Sequence, residues 1–281
     1  MLLGCIADDF TGATDLANNL VRSGMRVVQT IGVPQVPLEG DVDAVVVALK
    51  SRTIEPEAAI AQSLAALRWL QRGGARQFYF KVCSTFDSTD RGNIGPVAEA
   101  LMAALGTRFA IVCPAFPQAQ RTVFKGYLFV GDVLLSESGM RDHPLTPMSD
   151  ANLVRVLQRQ SKSKVGLIDH AAVTAGASAI RTRAAELQAE GVALAIVDAT
   201  SDADLMAMGL AFADLPLLVA GSGVAIGLAQ NHAIAPGAAA AALPPATGAA
   251  AIVSGSCSSA SNAQVQHFLG RGGEGYAIDP L

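Results

Sequence analysis

Two adjacent carboxylates, Asp8 and Asp9, end the apolar run Leu2 to Ala7, and Thr11 and Gly12 follow at once. Paired acids of this kind can orient a hydroxyl group and take its proton. The same layout recurs along the chain. The run Ala44 to Leu49 ends in Lys50, Ser51 and Arg52. The run Gln77 to Val82 carries Lys81 near its end and continues into Ser84, Thr85, Asp87 and Ser88. A guanidinium offers a bidentate fork, an ammonium a point charge, and hydroxyls complete the shell. That is what binding a carboxylate or phosphate requires. Any one of these groups alone reads as readily as a helix cap or a solvated charge. Their repetition at successive apolar-run ends carries the argument.

The elements behind them read as alternating strands and helices. Ala13, Leu16, Ala17, Leu20 and Val21 repeat at helical spacing behind the acidic pair, and Gly24 closes that helix. Arg26 to Ile31 reads as a second strand. Pro56 suits a first helical position ahead of Ile60, Leu64, Leu67 and Leu70. A helix is predicted over Ile94 to Leu105 and a strand over Phe109 to Cys113. Arg121 to Val130 reads as a hairpin excursion, followed by a helix near Asp150 to Gln160. Strands at Val165 to Ile168, Ala193 to Val197 and Leu217 to Ala220 each lead to a helix, the last starting near Val224. The class is therefore α/β: an open, mostly parallel sheet with helices on both faces. Strand ends of such a sheet share one edge, so groups distant in sequence converge there.

From 236 to 248 the composition shifts to Ala, Pro and Gly, as in a linker. The expected organisation is a domain over 1–235, this linker, and the start of a second, incomplete α/β domain over 249–281. The last opens with a strand at Ala250 to Val253. The glycine turns Gly221-Ser222-Gly223 and Ser254-Gly255-Ser256 each lie between strand and helix, where backbone N–H groups can hold an anion or simply permit a turn. His143 sits in a turn and is a further candidate; the other histidines, His170, His232 and His267, show no metal-ligand spacing, and no metal site is expected.

The totals narrow the class. The chain has 281 residues, 51% hydrophobic and 16% charged, with a formal net charge of -4. That is ample core material and no basic stripe for nucleic acid. Cys5, Cys83, Cys113 and Cys257 are unpaired in spacing, which suits thiols in a reducing compartment. No signal peptide and no apolar run long enough to span a membrane is evident, so a soluble cytoplasmic protein is expected.

Several of these segments resemble a known family, the four-carbon acid sugar kinases, and among them most closely the 3-oxo-tetronate kinases. The resemblance runs through Ile6 to Asp15, Leu49 to Arg52, Tyr79 to Ser88, Gly92 to Pro96, Gly126 to Phe129, His143 to Met148, Gly221 to Ala229 and Ser254 to Ser258. It implies ATP-dependent phosphorylation of the terminal 4-hydroxyl of a four-carbon sugar acid, with Mg²⁺ accompanying ATP. It implies catalytic Asp8 and Asp9, one of them accepting the hydroxyl proton, and a clamp on the substrate carboxylate from Arg52 and Lys81. The resemblance also places Lys50, Ser84 and Asp87 at the acid-sugar site, and Ser51, Thr85, Ser88, Arg121 and His143 are further substrate-binding candidates read from the sequence itself. Gly255, Ser256 and Ser258 would contact the nucleotide.

The family continues past Ser256 with glycine-rich segments, and this sequence stops at Leu281. The expectation is a substrate-binding half with little kinase activity alone. The competing reading is a non-catalytic sugar-acid module. A Rossmann dehydrogenase is disfavoured, because the first turn has acids in place of the three-glycine fingerprint. Self-association stays open.

Overall fold

A run of small and β-branched residues such as Ala-Val-Val-Val-Ala can be buried on both faces only inside a sheet covered by helices. The computed structural model describes residues 1–38, 40–86, 89–143, 145–236, 247–256 and 258–279, and shows that arrangement. In chain order come β1 (Leu3–Ala7), α1 (Phe10–Arg22), β2 (Val27–Ile31), β3 (Ala44–Ala48), α2 (Pro56–Arg72), β4 (Gln77–Lys81), α3 (Ile94–Leu105) and β5 (Ala110–Cys113). Next are β6 (Arg121–Phe124), β7 (Tyr127–Val130), β8 (Val133–Leu134) and α4 (Leu153–Gln160). The series closes with β9 (Lys164–Ile168), α5 (His170–Thr174), α6 (Ala177–Ala189), β10 (Val192–Val197), α7 (Asp202–Ala211) and β11 (Leu217–Ala220).

Eight strands form one parallel sheet in the order β2-β3-β1-β4-β11-β5-β10-β9. Every residue of β1, β3, β4, β5 and β11 is buried. Each Val- or Ile-sized side chain so placed contributes about 1.5–3 kcal/mol, before the cost of ordering the chain. The chain leaves β1 towards the β2 edge but leaves β3 and β4 towards the β9 edge. Right-handed crossovers in opposite directions put their helices on opposite faces. Thus α2, α3 and α4 pack along one face and α1, α6 and α7 along the other. The crevice where the direction reverses, between the carboxyl ends of β1 and β4, is where ligands bind in open α/β sheets.

The expected hairpin over 121–130 is present and gains a third strand, β8, in a separate antiparallel sheet, β6-β7-β8. Asp198, fully buried at the end of β10, anchors it. Its carboxylate accepts from the N–H groups of Lys125, Gly126 and His170 at 2.7, 2.8 and 2.9 Å. Burial pushes this carboxyl above its ordinary range, and the three N–H bonds pull against that shift.

Two expectations are corrected. The segment from Val224 is not an α-helix but 3₁₀ turns over Ser222–Gly227 and Ala229–His232. It is pressed against backbone: a Cβ on Gly221 would lie 2.6 Å from the Pro114 carbonyl oxygen, and one on Gly223 2.4 Å from that of Ala115. The Gly-Ser-Gly turn is thus a packing device, with Ser222 buried and bonded to Asp15 of α1.

The chain divides into two units, Met1–Ala241 and Ala242–Leu281. Most of the expected linker lies outside the described residues. In the second unit the strand expected over 250–253 is absent. Those residues are exposed and unpaired, since a strand needs a neighbour to bond and no described residue supplies one. The unit holds one helix, α8 (Ser259–Gly270), capped by Ser258.

Candidate active site

The acidic turn is built by the helix it starts. Asp9 is the N-cap of α1, in extended conformation, and its Oδ1 accepts from the N–H of Gly12 at 2.9 Å. Leu16 and Leu20 then bury one stripe, and Gly24, in a left-handed conformation, lets the chain turn away. Asp8, one residue earlier, still belongs to the sheet edge: its N–H donates to the Lys81 carbonyl, and its own carbonyl accepts from Ser51 and Arg52. The ends of β3, β1 and β4, neighbours in the sheet, are therefore stitched together where the candidate side chains emerge.

The central interaction is an ion pair. Arg52 donates from Nε to Asp8 Oδ2 at 2.9 Å and from Nη2 to Asp8 Oδ1 at 2.8 Å. Nη2 also lies 2.8 Å from Asp9 Oδ1, so one guanidinium bridges both acids. Burial disfavours the Arg52 charge, but the bond to Asp8 outweighs it and moves the group upward from its usual value. The Nε–Nη2 edge of Arg52, a residue expected to clamp the substrate carboxylate, holds Asp8 in this structure. The two acids differ in turn. The Asp8 side chain is 7% exposed with both oxygens engaged, whereas the Asp9 side chain is 28% exposed. Asp9 Oδ2 has no partner among the described residues.

Lys81 closes the other side of the crevice. It is only 3% exposed, and its ammonium donates to the Val82 carbonyl at 2.6 Å. No carboxylate among the described residues lies within ion-pair distance of it. A buried ammonium with no carboxylate in direct contact is costly, and an anionic ligand would relieve it. Gly12 makes room: a Cβ there would stand 2.3 Å from Asp9 Oδ1 and 2.7 Å from Lys81 Nζ. The acid and the ammonium thus flank one glycine at the helix N-terminus, itself favourable to negative charge.

The other expected residues fall as follows. Lys50 is exposed at the rim, beside Ser51, which is buried. Thr85 is buried with its hydroxyl 3.0 Å from Cys83 Sγ, and Ser84 is half-buried. Asp87 and Ser88 lie outside the described residues. Arg121 is not brought to the cluster. It sits beyond the end of β5, two strands from β4, with its guanidinium on the Ala119 carbonyl. His143 Nδ1 accepts from the Thr146 N–H at 3.1 Å and so serves its own loop. Its neighbours Leu145 and Thr146, however, wall a cleft of about 460 Å³ that reaches Arg52, Asn93 and Arg91. Gly255, Ser256 and Ser258 are exposed; Ser256 Oγ accepts from the Ser258 N–H at 3.2 Å, a local turn ahead of α8.

Asn93 was quoted above only within a motif, and its side chain has more to do. It occupies the cap position of α3 yet makes no cap bond. Its Nδ2 instead reaches the carbonyls of Ser51, Ile54 and Arg52 at 2.8, 2.9 and 3.2 Å. Its Oδ1 is buried without a partner among the described residues. Forgoing the cap costs about 1 kcal/mol, and an unpaired buried amide oxygen about 1–3 kcal/mol more. Sequence spacing could not reveal this role, because the three carbonyls lie about forty residues upstream.

A parallel α/β sheet with an acid pair, a buried lysine and an arginine at its switch point defines a small-ligand-binding domain. The sequence model of the "Sugar-binding N-terminal domain" family matches residues 3–228, and the chain belongs to that family. It is 60% identical over 287 residues to a "3-oxo-tetronate kinase" of Cupriavidus necator, covering 100% of this chain and 66% of that protein. The corresponding protein of Pectobacterium atrosepticum is 49% identical over 280 residues, covering 99% and 66%. The chain thus spans just under two thirds of the length of these curated relatives. A crystal structure of a Haemophilus influenzae protein superposes with a TM-score of 0.84 at 48% identity, covering 95% of this chain and 65% of that one. A Bordetella bronchiseptica domain of unknown function, solved with bound citrate as a domain-swapped dimer, gives 0.69 at 28% identity, covering 83% and 57%.

Proposed function

We propose that this chain binds a four-carbon sugar acid at the β1–β4 crevice, as the substrate-holding part of an ATP-dependent kinase of the 3-oxo-tetronate type. The observation that carries the reading is the buried Lys81 ammonium beside the acid pair, with no carboxylate partner among the described residues. A sugar-acid carboxylate supplies the missing charge at Lys81, with Lys50 at the rim and the α1 N-terminus adding to the attraction. Citrate, a small hydroxylated carboxylate, is the ligand of the Bordetella bronchiseptica structure, in keeping with such a pocket.

With the carboxylate at Lys81, the acid pair takes the hydroxyl end. Asp8 has both oxygens engaged by Arg52 and is spent on that bond. Asp9 keeps one oxygen free of partners among the described residues and is the more exposed, so it is the acceptor for the proton of the terminal 4-hydroxyl. Arg52 then has a supporting role, fixing both acids and lowering their mutual repulsion.

ATP and Mg²⁺ fit less well to the residues in hand. Among the described residues no group of three or more His, Cys, Asp or Glu could hold a metal. Asp8 and Asp9 are both bridged by Arg52, and Gly255, Ser256 and Ser258 are exposed. We therefore derive no step through either group. We assign both chiefly to the third of the relatives' length that this chain does not match, with Gly255, Ser256 and Ser258 as the contribution from here. The chain alone would then bind sugar acid and turn over little.

Among the described residues no helix is long and apolar enough to cross a membrane. Cytoplasmic placement is inferred from the metabolic chemistry of the relatives, and no nucleic-acid partner is invoked.

Calorimetric titration of the 281-residue chain with erythronate, threonate and 3-oxo-tetronates tests the binding. Saturable heats at Lys81-dependent affinity are expected; no response to any tetronate would overturn the reading. A coupled assay for ADP release tests the second half, and robust turnover by this chain would contradict it. A binding module without catalysis is the alternative. It is favoured if the chain, supplied with the remaining length of a relative, binds tetronate but never transfers phosphate.

A further inference from the structure

We propose that Asn93 is the positioning residue of this site, setting the main chain around Arg52 so that its guanidinium meets Asp8. The inference rests on the sugar-acid reading for its effect on ligand, but its effect on Arg52 stands apart from that reading.

The argument begins with what Asn93 gives up. An asparagine just before a helix ordinarily adopts an extended backbone and turns its Oδ1 onto the N–H groups of the first turn. Asn93 has φ -89° and ψ -9°, a helical conformation, and caps nothing. The first-turn N–H of Gly95 goes instead to Gln160 Oε1 at 3.2 Å. Asn93 is 6% exposed, and its Oδ1 has no partner among the described residues. Local preference and burial are both sacrificed at one residue, and such conflicts concentrate at functional sites.

What it gains is control of one loop. Three carbonyls, those of Ser51, Arg52 and Ile54, converge on Nδ2. Three acceptors around one atom also fix which end of the amide points there, because only the NH₂ end can donate. The loop they belong to joins β3 to α2, and Arg52 is the middle of the three residues held. On its other side the same loop is tied to the sheet by the Ser51 and Arg52 N–H groups, both donating to the Asp8 carbonyl. Arg52 is therefore gripped between Asp8 and Asn93. A small cavity of about 10 Å³ lies among Asp8, Ser51, Arg52 and Asn93. Asn93 is not a catalytic residue: it reaches the reacting groups only through Arg52. It also ties the start of α3 to the start of α2, both of which border the large cleft beside Arg52.

Two substitutions separate positioning from support. Asn93→Ser keeps a small polar side chain too short to span three carbonyls, and Asn93→Ala removes the polar group altogether. The first measurement is solvent exchange of the Arg52 Nε–H in ¹⁵N-edited spectra of the ligand-free chain. The second is tetronate affinity by calorimetry, repeated in an Arg52→Lys background. Asn93→Ser should leave the thermal midpoint near that of the unsubstituted chain while speeding Arg52 Nε–H exchange and weakening tetronate binding about tenfold, as loss of an oriented charged bond does. In the Arg52→Lys background the same change should cost less than about twofold, since the two residues act as one unit.

Unchanged Arg52 exchange in both folded variants would overturn the proposal. So would full additivity with Arg52→Lys. If Asn93→Ser unfolds while Asn93→Ala does not, the Ala variant is read in its place. If both unfold, Asn93 is a general support and the proposal fails. Absence of tetronate binding by the unsubstituted chain overturns the sugar-acid reading alone, because the exchange measurement needs no ligand.

Discussion

Arg52 meets Asp8 edge to edge, with two parallel bonds of 2.9 and 2.8 Å between residues 44 apart in sequence. The Asp8 side chain is 7% and the Arg52 side chain 20% exposed, so the pair is screened far less than a surface bridge. Removing the arginine strands a buried carboxylate. Arg52→Ala is expected to destabilise the fold by about 3 kcal/mol, the low end for breaking a buried pair because Arg52 keeps some solvent. Arg52→Lys should recover only part of that, since an ammonium cannot present two parallel donors. Urea denaturation at neutral pH, comparing midpoints at constant slope, measures both.

Lys81 is expected to show the opposite sign. Among the described residues its buried ammonium has one carbonyl for a partner, a state that favours ligand binding at the expense of the empty fold. Lys81→Met keeps the length of the side chain and removes the charge. We expect it to raise stability by about 1 kcal/mol, as replacing an uncompensated buried charge with an apolar group commonly does. The same variant should lose its tetronate response altogether. Differential scanning calorimetry with and without tetronate reads both effects, and a destabilised Lys81→Met would show that the charge is compensated in the free protein.

Acid stability is governed elsewhere. The bond from Arg26 holds the Asp43 carboxyl down to about 2, and the bond from Arg155 does the same for Asp150, also to about 2. Both folded-state values lie below the unfolded one, roughly 4 for an aspartate. Their contributions are therefore complete above pH ~4 and are lost as pH falls through ~2, where the folded carboxyls finally take protons. The double variant Asp43→Asn, Asp150→Asn should be less stable than the parent at neutral pH. The difference should close between pH ~4 and ~2. Thermal midpoints followed across that range would show the two curves converging; parallel curves would assign the acid limb to other groups.

The sequence made the sheet readable because its strands are apolar throughout, a pattern that few other environments accept. Helix starts at Pro56 and at the Asp9 cap, and the stop at Gly24, were legible for equally local reasons. Errors came where tertiary packing decides. The stretch after Gly223 has helical spacing, but Gly227 is pressed against the backbone of α7, a Cβ there falling 2.5 Å from the Leu205 carbonyl oxygen, and the chain winds as 3₁₀ turns instead. Ala250 to Val253 has strand composition without a described strand to pair with. The charged residues at the ends of β1, β3 and β4 were found by their repetition. Their partnerships were not, because spacing does not say that Arg52 is spent on Asp8, or that Asn93 turns from its own helix to the Arg52 loop. Asp198 follows the same rule of an acid ending an apolar run, yet it holds three N–H groups and serves only the fold.

Gly12 is where fold and site make opposite demands. A glycine in the first turn of a helix is ordinarily improved by alanine, which loses less backbone entropy on folding. Here the added Cβ would stand 2.3 Å from Asp9 Oδ1 and 2.7 Å from Lys81 Nζ. The Lys81 ammonium ends a long flexible chain and can retreat, whereas Asp9 has a short side chain whose oxygen is already fixed by the Gly12 N–H and by Arg52. Relief therefore comes from moving Lys81 and from loosening the Asp9 cap. The lost cap costs about 1 kcal/mol, which offsets the entropic gain of alanine and leaves net stability nearly unchanged. Tetronate affinity should instead fall at least about tenfold, because the ammonium and the acid that flank the glycine both shift from the positions that a short sugar acid spans. Gly12→Ala thus separates the two roles of the turn: a midpoint of unfolding close to the parent, together with lost calorimetric binding, is the expected result. Retained binding would show that the sugar acid lies away from the Asp9–Lys81 gap.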